Sequence, residues 1–103
     1  MIADRLRVAD SFLSRGVGLL FSRPLEAGEG LRITGTASIT MLFMRFAIDA
    51  VFVDRAGRVV KVAEHLRPWT PAAGSLRAAE VIELPVGAVE RSGTQVGDDV
   101  VFE

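Results

Sequence analysis

The sequence predicts a mainly β protein, a sandwich or partly closed barrel with one or two short helices. Three observations lead there. β-Branched and aromatic residues gather in short runs, Gly, Pro and Asp punctuate those runs, and the only helix signals are brief and bounded by glycine.

Arg5 to Ala9 alternates polar and apolar and reads as a short strand. Asp10 or Ser11 then caps a brief helix carrying Phe12 and Leu13, which Gly16 and Gly18 cut short. "SRPLEAGEG" (22–30) reads as a loop closed by Gly28 and Gly30, followed by a strand from Leu31 to Thr34 that Gly35 ends. Ile39 to Val53 spans 15 residues. A typical strand has about five or six, so a bend is expected between Arg45 and Asp49. "VFVDRAGRVVKV" (51–62) places Asp54-Arg55-Ala56-Gly57 between two apolar runs, a type I based hairpin. "EHLRPWTPAAGS" (64–75), with two prolines and a glycine, reads as a surface loop, and Ala79 to Leu84 as the next strand. Pro85 then opens a short helix from Val86 to Arg91 with Gly93 past its end. Val96-Gly97-Asp98 turns the chain into a last strand, Val100 to Glu103.

At 103 residues the chain suits a single domain, 1–103, with one core. Its formal net charge of −1 gives no whole-chain attraction to nucleic acid or to an anionic membrane, although a local basic patch is compatible with it. There is no cysteine, which excludes disulfides, thiolate metal sites and a cysteine nucleophile. Asp4, Arg5, Arg7, Asp10 and Arg15 interrupt the first twenty residues, so the chain as written reads as cytoplasmic; trimming of an export signal would leave the same sequence. The longest apolar run, Ile39 to Val53, carries two charges and falls short of the ~20 residues of a membrane span.

The ordered motifs "GLLFSRPLEAGEGL" (18–31), "FMRFAID" (43–49), "VFVDRAGRVV" (51–60), "RPW" (67–69), "ELPVG" (83–87) and "VGD" (96–98) carry a resemblance over nearly the whole chain. In this order and spacing they resemble the family of domain of unknown function 192. The resemblance implies a compact β-rich, jelly-roll-like domain of bacteria and archaea, sometimes exported, and implies no specific activity. The chain departs from the family pattern at Ala47, where proline is usual, and at Thr40-Met41, where many members have a more polar pair.

The candidate site residues are Arg45, Asp49, Arg67, Trp69 and Glu83. Arg45 and Asp49 stand four residues apart in an apolar run, and a buried ion needs a partner. In an extended chain both point to one face, so the simplest reading is an ion pair that holds the bend. The functional reading is that Asp49 orients the Arg45 fork toward a carboxylate or phosphate in a cleft. Glu83 sits just before Pro85. Its structural reading is to pair with an arginine or bond the first helical amides, and its functional reading is an acid or base beside Asp49. Trp69, between Pro68 and Pro71, reads first as a plug fastening its loop and second as the flat wall of a cleft with Arg67 beside it. His65 is the only histidine, and neither a metal-ligand spacing nor a Gly-x-Ser-x-Gly elbow accompanies it.

The first reading is therefore a module that binds a small polar or anionic ligand, such as a carboxylate, phosphate or acidic sugar, with no metal or cofactor and more in keeping with a binder than an enzyme. Two alternatives stand beside it. One is a lyase or hydrolase using Asp49 and Glu83 as paired carboxylates, and the other is a protein-interaction or self-association domain receiving a partner at the apolar edge around Phe43 and Phe46. Oligomeric state is not legible from these residues.

Overall fold

The computed structural model describes residues 5–9, 28–41 and 44–100, with the side chains of 5–9 set aside. The expected helix after Asp10, the edge residue Phe43 and most of the last strand lie outside the described residues. Among the described residues the strands are β1 (Arg5–Ala9), β2 (Glu29–Thr34), β3 (Ser38–Ile39), β4 (Ile48–Val53), β5 (Val59–Leu66), β6 (Ala73–Gly74) and β7 (Glu80–Leu84). One short helix, α1 (Ala88–Ser92), follows them.

Five strands form an open sheet in the order β1-β2-β7-β4-β5, and β3 pairs with β6 in a second, two-stranded sheet. All pairings are antiparallel except that of β1 with β2. The fold is thus mainly β and sandwich-like, and it is not a closed barrel. β4 and β7 occupy the middle of the large sheet and are buried along their whole lengths. A strand covered on both faces must be apolar at consecutive positions, which explains "AVFV" and "VI" without alternation.

The two faces are covered by different things. On one, Leu31, Ile33, Ala50, Phe52 and Val81 pack with Ile39, Met41 and Met44 of the smaller layer. On the other, Val51, Val53, Val59, Ile82 and Leu84 pack with Ala88 and Val89 of α1. Lys61 fastens the layers at the rim: its Nζ donates to the Gly74 carbonyl at 2.9 Å and lies 5.7 Å above the Phe52 ring.

The 54–57 hairpin forms as expected. Asp54 Oδ1 accepts the Ala56 and Arg58 N–H groups at 2.9 Å each, and Gly57 takes a φ of 86°, a conformation that other residues rarely adopt. Three expectations are corrected. The run 39–53 is not one bent strand: β3 ends at Ile39 and β4 begins at Ile48, and between them Met41 turns away to bond the 69–70 loop. β5 runs on through Leu66 where a loop was expected, since a bulge absorbs Glu64 and His65. The helix starts after Gly87 and not at Pro85, because Pro85 serves as the acceptor of a turn, bonded by the Ala88 N–H.

Candidate functional site

The central strands bury three carboxyls, Asp49 at 1%, Glu83 at 5% and Glu80 at 9% exposure; Glu80 is paired with Arg32 at 3.0 Å, which leaves Asp49 and Glu83 to be accounted for. Register places Asp49 opposite Leu84 and Glu83 opposite Ala50. Successive residues of a strand face opposite ways, so the two carboxyls lie on opposite faces of the sheet. Asp49 belongs with Val51 and Leu84 on the α1 face, and Glu83 with Ala50 and Val81 on the face beneath the small layer.

Asp49 is held by the backbone. The step from Ile48 to Ala50 is matched on β5 by the longer step from Leu66 to Ala63, so Glu64 and His65 together face Asp49. His65 takes a left-handed φ of 53° and its N–H reaches Asp49 Oδ1 at 2.9 Å. Oδ2 accepts the N–H groups of Gly87 and Val89, both at 3.1 Å. Gly87 is the N-cap of α1 with φ 94° and no side chain of its own to bond the helix start. Asp49 supplies that cap from another strand, and its negative charge also suits the positive end of the helix.

The ion pair expected between Arg45 and Asp49 is therefore not made. Arg45 is exposed between β3 and β4, while Asp49 is buried and its oxygens are spent on three amides. Glu83 does not bond the first helical amides either, because Asp49 already does. Nor do Asp49 and Glu83 form a catalytic pair of carboxylates, since a sheet separates them.

Glu83 is in the reverse condition. Its cross-strand neighbours are Leu31 on β2 and Ala50 on β4, and Ala63 lies beyond Ala50 on β5. The two alanines leave room beside its longer side chain. The carboxyl has no hydrogen-bond partner among the described residues, while every fully sealed side-chain nitrogen or oxygen among them has one. At 5% exposure the Glu83 side chain keeps only a trace of contact with solvent. Desolvation pushes the carboxyl up from its ordinary 4.5 to about 7.

Two loops approach the same end of the sheet, where β5 and β7 finish and β4 begins. They are tied together by backbone bonds: the Trp69 N–H to the Met41 carbonyl at 2.8 Å, and the Met41 N–H to the Thr70 carbonyl at 2.9 Å. These loops carry Arg45, Arg67 and Trp69, all exposed. Trp69 is 57% exposed and in a left-handed conformation, φ 68°, so it is not a buried plug. The structure thus gathers Arg45, Arg67 and Trp69 on joined loops at the end where Glu83 lies, and assigns Asp49 to the opposite face.

Sequence reasoning missed Glu29. It is buried, and strand alternation through Leu31 and Ile33 sets it on the Glu83 face, diagonal to Glu83 across the β2–β7 pair. The available signal was the alternation Glu29-Leu31-Ile33, obscured by the glycines at 28 and 30, which read as loop. No group of three or more His, Asp or Glu among the described residues is placed to hold a metal ion. No helix among them is long and apolar enough to cross a membrane.

The model of the family described as an uncharacterized ACR, domain of unknown function 192, matches residues 2–102. A UPF0127 protein of Pyrococcus horikoshii is 38% identical over 98 residues, covering 92% of this chain and 84% of its own. A UPF0127 protein of Pyrococcus furiosus is 35% identical over 100 residues, covering 94% of this chain and 85% of its own. The crystal structure of a protein of unknown function from Novosphingobium aromaticivorans superposes with a TM-score of 0.80 at 23% identity, covering 94% of this chain and 74% of that one, and shows the same fold. With nearly every residue inside the matched span, the chain belongs to the family of domain of unknown function 192.

Proposed function

We propose that the protein binds a small polar ligand carrying both a hydrogen-bond donor and an anionic group, beside Glu83. The observation that carries this reading is Glu83 itself, a buried carboxyl with no partner among the described residues and not fully sealed from solvent. Burying a carboxyl without a bond is costly, and a hydroxyl or ammonium group from outside would offset that cost. An anion alone would be repelled once Glu83 ionises. The anionic end of the ligand is therefore assigned to the guanidinium groups of Arg45 and Arg67 on the adjoining loops, whose planar forks suit carboxylate or phosphate. Trp69 offers a flat apolar surface beside them. Among carboxylates, phosphates and acidic sugars, an acidic sugar matches this division best, because it presents hydroxyls and a carboxylate on one rigid frame.

A thermal-shift screen of carboxylates, phosphates and acidic sugars tests the reading. A ligand that binds only the folded chain raises the melting temperature by mass action. The expected result is a hit whose shift is lost in Glu83→Ala and weakened in Arg45→Lys, each compared with its own ligand-free melting temperature. A hit indifferent to both substitutions, or a broad screen with no hit, removes the proposal.

A further inference from the structure

Charge is unevenly distributed between the two layers. The stretches 35–48 and 66–79, which include β3, β6 and their flanking loops, contain three of the chain's twelve basic residues and none of its thirteen acidic ones. A chain of net charge −1 thus places +3 on this layer. Arg45, Arg67 and Arg77 are all exposed, and none is in an ion pair with a described residue. The layer is built so that Ile39, Met41 and Ala73 face inward to the core, and Pro71 and Ala72 are exposed. Its backbone runs from Trp69, bonded to Met41, to Ser75, bonded to Ala37, and ends in the 75–78 turn with Leu76 at its tip. Leu76 is fully exposed and Trp69 more than half so, which leaves apolar surface of both in contact with water.

We propose that this layer is a docking surface for an anionic lipid membrane, with Trp69 and Leu76 entering the interface and Arg45, Arg67 and Arg77 meeting the phosphate headgroups. Trp suits the boundary between headgroups and acyl chains, where its ring is buried and its N–H remains wet. Arginine beside an inserting apolar side chain keeps its charge at the headgroup level while its stem lies in the apolar zone. Apolar insertion and basic charge together satisfy the rule that reversible membrane attachment takes two weak signals. An exposed leucine gives nothing to a nucleic acid backbone, and three arginines without acidic partners do not complement a second copy of the same face.

Trp69 is the only tryptophan, so its fluorescence reports on this surface directly. The full chain is titrated with vesicles of equal parts phosphatidylglycerol and phosphatidylcholine, and with phosphatidylcholine alone, in low and high salt. The expected result is a blue shift and co-sedimentation with the anionic vesicles, weakened by salt and by omission of phosphatidylglycerol. Leu76→Ser should weaken binding by about tenfold or more, the loss of one buried leucine. Arg77→Ser should weaken it by about fivefold, the share of one basic residue near an anionic surface. Both side chains are exposed and neither is assigned to the ligand, so the variants keep the wild-type melting temperature and any ligand-induced shift in it. Absence of binding, equal binding to neutral vesicles, or indifference to Leu76→Ser overturns the proposal. So does a Trp69 response to duplex DNA or RNA stronger than to vesicles, or a solution mass that rises with concentration and falls back in Leu76→Ser.

Discussion

Asp49 and Glu83 lie one step of register apart in adjacent strands, on opposite faces of the sheet, and both are almost wholly buried. One accepts three backbone N–H groups drawn from β5, the helix cap and the helix. The other has no partner among the described residues. Burial by itself therefore says little about a carboxyl's role. Saturation does: a carboxylate whose oxygens are filled by amides organises the backbone, and one left unfilled is held at a cost that something outside the fold can offset.

The largest effect separating the two is on stability. Asp49→Ala leaves the His65, Gly87 and Val89 N–H groups without their acceptor, and a loss of about 3–5 kcal/mol is expected from chemical denaturation. If Glu83→Ala costs as much for want of lost bonds, the contrast between saturated and unsaturated carboxyls fails.

Next comes the dependence on pH. Below 4.5, the ordinary value, Glu83 is protonated in both folded and unfolded chains. As pH rises, the unfolded chain releases this proton first, so the folded state binds more protons and its stability falls with pH until about 7. Above that both states are ionised and the full penalty, about 3 kcal/mol, is present. Glu83→Gln should therefore be more stable than the wild type by about that amount at pH 8 and nearly equal to it at pH 4. Denaturation midpoints of the two proteins at both pH values check this, and parallel curves would mean that Glu83 is solvated.

The smallest effect sharpens the account of Asp49. Arg45 is exposed and takes no part in holding that carboxylate, so Arg45→Ala should change stability by less than about 0.5 kcal/mol. A loss comparable to that of Asp49→Ala would restore the ion pair that the structure does not form.

Much of the fold was legible locally. The hairpin at Asp54 to Gly57 was, because Asp at the first turn position bonds amides two and four residues ahead, within the reach of its own side chain. The β2 and β7 strands and the glycine after the helix were legible for the same reason. Arg45 and Asp49 were drawn together by alternation, which does put them on one side of an ideal strand, but the described residues between Ile39 and Ile48 form no strand. The choice of Glu83 as a site candidate rested on its place before Pro85. Its position between Leu31 and Ala50 came from pairings with strands that are distant in sequence.

By itself the sequence determined most of β2 and β7, the start of β5, the turn, the family and the presence of polar residues where apolar ones would be expected, since each depends on backbone preferences or on motifs within a few residues. Only the tertiary structure decided which polar residue is structural. The amides that saturate Asp49 lie 16, 38 and 40 residues away, and the side chains packed on the Glu83 face of the sheet include Met41, Met44, Phe46 and Ala73, from segments distant in sequence. Alternation assigns neighbouring side chains to opposite faces, but what covers each face is set by long-range pairing, and with it whether a buried carboxyl is filled or left open.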